Sequence, residues 1–355
     1  MSTSTADQSA PAGLSQARTP LPTWLPWALA AGAVVLALVL RTVLGSGPVL
    51  TAVLAALIFG VLVNVVSRRA EGSRRATDRT VTAVVSAMFV AAMVPLVSLL
   101  QTVLSRGVGR FDGEFFSSSM RNVIGEGGGA LHAIAGTVII TGLAALISVP
   151  IGVLTAIYLV EYGRGRLARS ITFLVDVMTG IPSIVAGLFA YALFVVFFGP
   201  GVRFGIGGAV ALSVLMVPVV VRSVEEMLKL VPAELREASY ALGVPKWRTI
   251  LKVVLPAAAA GIATGITLAV ARVIGETAPL LLVVGTTTSL NLNPFEGRMA
   301  TLPVFAFFSY RVPGANPEPS LDRAWTAALV LMILVLGLNL VARIIAKRFA
   351  PKGGR

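Results

Sequence analysis

The chain has 355 residues, 56% of them apolar and only 13% charged, with a formal net charge of +13, a single His and no Cys. Soluble proteins carry about 25% charged residues, so a water-soluble globule is excluded and most of the chain belongs in lipid. The lack of Cys excludes disulfides, thiolate metal and iron–sulfur sites and a cysteine nucleophile, and the positive charge is spread over several loops instead of lining one aromatic-rich face, which argues against nucleic acid.

Residues 1–23, rich in Ser, Thr, Ala and Pro, read as a disordered tail. A helix needs about 20 apolar residues to cross a hydrocarbon core of about 30 Å. Such runs fall at 24–44, 48–66, 80–104, 133–160, 171–198, 206–224, 257–285 and 323–345, so the predicted fold is an all-α integral membrane protein of eight transmembrane helices. The first run is longer than the apolar stretch of a secretory signal, about 7–15 residues, and a second follows at once, so the mature chain is expected to keep it. Alternate connections differ in charge. Arg18, the cluster Arg68, Arg69, Arg74, Arg75 and Arg79, then Arg164, Arg166 and Arg169, the loop from Arg222 to Lys252 and the tail from Arg343 onward share one side, and fewer basic residues face the other. Basic loops stay inside, so both termini are predicted cytoplasmic. The Arg68–Arg79 cluster then reads as a topology anchor, with binding to anionic headgroups an open alternative. The segments 105–132 and 286–322 are the sizeable outer surfaces.

His132 stands at the outer end of the fourth run with no second ligand nearby in sequence, so no metal site is expected there. In the fifth run Asp176 lies about one turn before the break Gly180-Ile181-Pro182-Ser183, with Thr179 and Ser183 on a nearby face. A packing carboxylate and a lining of a polar path are both open readings.

Between the sixth and seventh runs, residues 231–256 are punctuated as two short helices. Pro232 suits a first turn, Glu234 complements the positive end of the helix dipole, Gly243 suits the left-handed position that closes a helix, and Pro245 opens the next. Leu235, Ala238 and Leu242 share one face of the first helix, away from Glu234, Arg236 and Glu237. Such an amphipathic helix either docks on a partner or lies on its own membrane domain or on lipid. The order Glu237-Ala238-Ser239, three residues, Gly243, nine residues, Val253, one residue, Leu255-Pro256 resembles the cytoplasmic signature of ABC importer permeases. That signature is E-A-A, x3, G, x9, I-x-L-P, from which only Ser239 and Val253 depart. The resemblance implies that Glu237, Ala238, Ser239, Gly243, Leu255 and Pro256 belong to a coupling element seated on a separate ATPase subunit. The chain has no G-x-x-x-x-G-K-[ST] loop of its own, because the run Gly125-Glu126-Gly127-Gly128-Gly129 lacks the Lys. ATP and Mg are therefore expected on the partner ATPase, and no cofactor in this chain.

The seventh run carries Arg272-Val273-Ile274-Gly275-Glu276-Thr277-Ala278-Pro279. A central Arg or Asp costs about 2.5–3.5 kcal/mol on insertion scales, so such groups face protein or water. Arg before Glu at i,i+4 is the weaker order for pairing within one helix. Pro279 has no N–H for the Gly275 carbonyl, so the helix is expected to kink or open beside Glu276. A buried packing pair and an anion path are both open on spacing alone. The stretch looks like the span-seven signature of Pst-type phosphate-importer permeases, nearest to the PstA family. Gly136-Thr137, Pro150-Ile151-Gly152, Ala156–Tyr162, Gly180–Ser183, Ala186-Gly187-Leu188 and Ala324-Trp325 fit the same family. The resemblance implies a six-helix permease core of the type I ABC importer class over 76–350, with its coupling loop at 225–256, preceded by two extra helices and a basic linker over 24–75. It assigns Arg272 and Glu276 to a phosphate path in which Gly275, Thr277, Pro279, Asp176 and Ser183 are further candidates. It also implies a second permease (PstC-like), an ATPase dimer (PstB-like) and an extracytoplasmic phosphate-binding protein (PstS-like). Such a chain transports without being an enzyme itself. A permease for sulfate or molybdate and an ion-gradient-driven carrier are the competing readings, and a membrane-embedded enzyme is weakest, since no nucleophile–base set is present.

Overall fold

A computed structural model describes residues 21–45, 47–314 and 316–349, and these are helical with no strand among them. The tail expected over 1–23 lies outside the described residues as far as residue 20. The chain divides into two compact units, the first ending at Leu100 and the second beginning at Gln101.

The first unit holds α1 (Leu25–Leu44), α2 (Pro48–Ala70) and α3 (Ser73–Gly107) as far as Leu100. Ala33 and Ala37 of α1 are fully buried, where small side chains let helices in a membrane approach closely. The turn after α2 is built on Glu71, whose carboxylate accepts from the Leu21 amide (2.6 Å), the Ser67 hydroxyl (2.9 Å) and Arg79 (2.7 Å). Asn64 donates to Thr80 at 2.8 Å. The basic cluster thus gives Arg79 to an internal ion pair. The boundary between the two compact units falls inside α3, which runs unbroken through Pro95.

In the second unit a 3-10 turn (Val108–Arg110) and α4 (Gly113–Ser117) lead to α5 (Leu131–Ile157), a π turn (Tyr158–Tyr162), α6 (Gly165–Thr179), α7 (Ser183–Phe198) and α8 (Gly205–Lys229). Then come α9 (Ala233–Ala241), α10 (Lys246–Thr249), a π turn (Ile250–Val254), α11 (Leu255–Val273), α12 (Ala278–Val283), α13 (Leu302–Arg311) and α14 (Glu318–Phe349). The core is built on α8, 61% of whose window is buried. Leu212, Met216, Val220 and Val224 of α8 pack with Ile140 and Ala144 of α5, Ala269 of α11 and Val283 of α12. Close approach is enforced where a side chain is missing: a Cβ on Gly152 of α5 would lie 2.6 Å from Val220, and one on Gly265 of α11 would lie 2.7 Å from Ser223. A smaller cluster joins Phe115, Ala130, Leu302, Phe305 and Ala327.

Two predicted spans are not continuous. The run 171–198 forms α6 and α7, bent by 108° at the Gly180–Pro182 break; Pro182 has extended ψ (139°) and starts α7 afresh. The run 257–285 ends as a helix at Val273 and restarts at Ala278. Among the described residues seven helices are long and apolar enough to cross a membrane, and the bent pair makes an eighth crossing if it counts as one.

Candidate functional site

The break in the seventh run forms where Pro279 withholds an amide from Gly275. The Glu276 amide turns back to the Val273 carbonyl (3.1 Å), and α12 begins with Leu281 donating to Thr277 (2.9 Å). Pro279 is buried, and a Cβ on Gly187 of α7 would lie 2.6 Å from its Cα. The α7 glycine therefore lets the broken helix seat directly on the second bent element.

Around these two breaks lies a polar cavity of about 230 Å³ lined by Arg272 and Glu276, by Met178, Thr179, Ile181 and Ser183 at the α6–α7 bend, and by Leu215 and Val219 of α8. Arg272 and Glu276 make no ion pair with each other, and neither side chain hydrogen-bonds another protein group among the described residues. Arg272 is exposed and Glu276 half-buried. An open cation and an open carboxylate therefore face one polar space. The space beside Gly275 is empty as well. Thr277 is half-buried at the start of α12. Of the residues singled out in the sequence, Arg272, Glu276, Thr179 and Ser183 meet in this cavity.

Asp176 does not join them. It is bonded to Arg222 of α8 and lines a second cavity, of about 410 Å³, with Leu159, Gly163, Ala168, Arg169, Thr172, Phe173 and Glu225. Arg222 also binds Glu225 (2.8 Å), which in turn accepts from Lys229 (2.7 Å). Sequence reading had no signal for the Arg222–Asp176 pair, because the two lie 46 residues apart.

The loop after α8 folds as two short helices, with Gly243 at φ +74° and Pro232 and Pro245 immediately ahead of them. Its inner face is polar. Arg236 binds the Glu161 carboxylate (3.0 Å) on the π turn after α5 and donates to the carbonyls of Leu228 (2.9 Å) and Val231 (2.6 Å). Lys246 donates to the Glu161 carbonyl and lies over the Tyr162 ring at 4.8 Å. Ser239, where the signature has Ala, is buried and shares a 2.8 Å bond with Thr249 that joins α9 to α10. Leu255 packs against the core. Arg236 thus faces the membrane domain, while Leu235 (44% exposed), Ala238 and Leu242 (83% exposed) look outward with Glu237, Gly243 and Pro256. The helix is held by its polar side and leaves its apolar face uncovered. Just past α10 lies the π turn Ile250–Val254, in which the Leu255 amide donates to the Ile250 carbonyl.

The Gly125–Gly129 run is tied inward, with the Gly128 amide donating to the Glu114 carboxylate (2.9 Å). Its carbonyls hold guanidinium groups: Arg323 donates to Gly125 (2.8 Å) and Gly127 (2.9 Å), and Arg110 to Gly128 (2.9 Å). His132 is buried with its ring edge-on to Phe305. No group of three or more potential metal ligands exists among the described residues.

A family profile described as "binding-protein-dependent transport system inner membrane component" matches residues 148–353. The chain is 48% identical over 278 residues to the phosphate transport system permease protein PstA 1 of Mycobacterium tuberculosis (strain ATCC 25618 / H37Rv), covering 77% of this chain and 88% of that one. It is 38% identical over 292 residues to the phosphate transport system permease protein PstA of Yersinia pestis, covering 80% and 94%. Among solved structures, a chain of a bacterial alginate ABC transporter in complex with alginate-pentasaccharide-bound periplasmic protein superposes with a TM-score of 0.55 at 14% identity, over 78% of this chain and 97% of that one. That likeness concerns the fold alone.

Proposed function

The chain belongs to the family of binding-protein-dependent inner-membrane transport components, and from that premise we propose that it is the membrane-spanning permease subunit of an ATP-driven importer of inorganic phosphate. The observation that carries the reading is the cavity in which Arg272 and Glu276 stand unpaired at a helix break. The phosphate permeases named among its relatives support the choice of anion.

In this reading the chain supplies half of a path completed by a second permease, and the exposed side of Arg272 and Gly275 is the side that faces it. Both termini lie in the cytoplasm. There the outward face of α9 (Leu235, Ala238, Leu242) seats on one subunit of an ATPase dimer that binds ATP and Mg. An extracytoplasmic phosphate-binding protein delivers the anion from the other side. The firm attachment of α9 through Arg236 and Glu161 supports a role in transmitting movement, since a loosely tethered helix would dissipate it.

Arg272 offers planar, charge-assisted bonds to phosphoryl oxygens. A phosphate that keeps a proton donates a hydrogen bond through it to the Glu276 carboxylate, whereas sulfate has no proton to offer and meets an uncompensated negative charge. Discrimination then comes from repulsion as much as from attraction. The test is phosphate uptake by vesicles holding the assembled complex with Arg272→Gln or Glu276→Gln. Loss of uptake with intact assembly is expected from R272Q, and weakened rejection of sulfate in a competition assay from E276Q. Near-normal phosphate uptake and unchanged selectivity in both would defeat the assignment.

A further inference from the structure

The Arg222–Asp176 pair joins α8 and α6, the two helices that contribute lining residues to both cavities. Along α8, Leu215 and Val219 line the cavity of Arg272, and Glu225 lines the larger one. Arg222 continues the stripe of Leu215 and Val219, about 4.5 Å beyond Val219 at 1.5 Å per residue. Along α6, Thr179 lines the first cavity and Asp176, three residues earlier, lines the second. The Arg222–Asp176 pair therefore stands between the two spaces, towards the Lys229 end of α8 and the Gly165 end of α6.

The two carboxylates on Arg222 are unequal. Glu225 is buried, its side chain 10% exposed, and bound twice, to Arg222 and Lys229. Asp176 is 59% exposed on its side chain and has Arg222 as its one ion-pair partner among the described residues. With 59% of its side chain open and a single ion-pair partner, Asp176 is the more exchangeable of the two ligands. Arginine's fork of donors accepts a carboxylate or a phosphoryl group in the same planar geometry.

We infer that Arg222 is a second oxyanion subsite on the exit side of the Arg272 cavity, occupied by the Asp176 carboxylate when no anion is passing and released to the anion as it leaves. The inference rests on the reading of the chain as a phosphate permease. Phosphate moving from Arg272 displaces Asp176 from Arg222, and the return of Asp176 expels the anion towards the larger cavity. Each contact exchanges one negative group for another, so the site never presents a bare cation.

A charge swap separates this from a structural pair. In the assembled transporter in vesicles, Asp176→Arg combined with Arg222→Asp and Glu225→Gln keeps an ion pair across α6 and α8 without stranding the Glu225 carboxylate that Arg222 had bound, but moves the cation off the α8 stripe. Uptake of radiolabelled phosphate is expected to fall at least tenfold with assembly retained; a smaller loss overturns the subsite. If the swapped protein does not assemble, Asp176→Asn decides. With its competitor neutralised, Arg222 is expected to hold phosphate longer, slowing release from a preloaded complex at least threefold, and unchanged or faster release overturns the proposal. Wild-type uptake in the same vesicles tests the parent reading separately, because its absence removes both, whereas normal wild-type uptake with an active swap removes only the subsite.

Discussion

Replacing Arg236 by Met tests whether the cytoplasmic loop is a rigid extension of the membrane domain. The substitution keeps an unbranched apolar side chain but strands the Glu161 carboxylate, 5% exposed, together with the carbonyls of Leu228 and Val231. Removing one partner of a buried pair costs about 3–5 kcal/mol. Arg236 is itself 18% exposed, so water reaches part of the site and we expect about 2–3 kcal/mol. The contacts of Lys246 with Glu161 and Tyr162, and the Ser239–Thr249 bond, remain, so the loss should open α9 locally without unfolding the chain. At 1.4 kcal/mol per tenfold, amide exchange across 233–241 should quicken by roughly 30- to 150-fold, with α8 and α5 unchanged. Adding Glu161→Gln removes the stranded charge and should recover at least half of the loss. Exchange in α9 that R236M leaves within threefold of wild type would refute the clamp, as would a double variant no better than the single one.

Three further outcomes follow from the geometry. Gly187→Ala places a methyl 2.6 Å from the Pro279 Cα; overpacking of that kind costs about 1–3 kcal/mol, so thermal stability and phosphate uptake should both fall. Gly142→Ala, where nothing lies within 4 Å, should be neutral or stabilising by up to ~1 kcal/mol, and equal effects at the two sites would contradict the packing argument. Leu242→Asp, on the 83% exposed side chain, should leave the melting temperature of the chain unchanged but abolish co-purification of the ATPase; full retention of the ATPase would show that this face is not its seat. For Glu71, burial opposes ionisation, but the bonds from Leu21, Ser67 and Arg79 outweigh it and hold the carboxyl below its ordinary value. The folded value lies below the unfolded one, so this contribution is complete above the usual carboxylate range, about pH 4.3, and is lost as pH falls through the folded value. Exchange protection at the α2–α3 turn should stay level from about pH 7 to 5 and drop below about pH 4, a step that Glu71→Gln should remove. An identical step in that variant would rule Glu71 out as its source.

Features set by a single residue type were legible in the sequence. Gly243 takes the left-handed position it was expected to take, Pro232 and Pro245 precede the two loop helices, and the chain breaks beside Glu276 because Pro279 cannot donate. Apolar length located the crossings, and Gly180 and Pro182 marked the break within 171–198, but the size of the bend, 108°, left no trace in composition. Contacts between distant residues left no local trace. Arg236 and Glu161 are 75 residues apart, and helical periodicity told only that Arg236 lies away from the apolar face, not that it has a partner on a different element. Ser239 read as a conservative exchange for Ala, whereas its hydroxyl ties the two loop helices together. For the polar path, spacing brought out Arg272, Glu276, Thr179 and Ser183. Asp176 was placed with them by its position one turn away, and only the α8 partner that draws it to the neighbouring cavity distinguishes it.

The sharp elbow between α6 and α7 also governs the parity of the crossings among the described residues. At 16 residues α7 reaches about 24 Å, short of a hydrocarbon core of about 30 Å, so the elbow either continues the ascent begun by α6 or doubles back to the side it left. Doubling back would leave an odd number of passes, with α1 and α14 ending on opposite sides of the bilayer. The arginines and lysines at the close of α14 would then sit across the membrane from those between α2 and α3, against the electrical asymmetry that orients membrane chains. An even number of passes requires the elbow to be a step within one crossing, with its uncoiled Gly180–Pro182 corner suspended partway through the membrane beside Arg272.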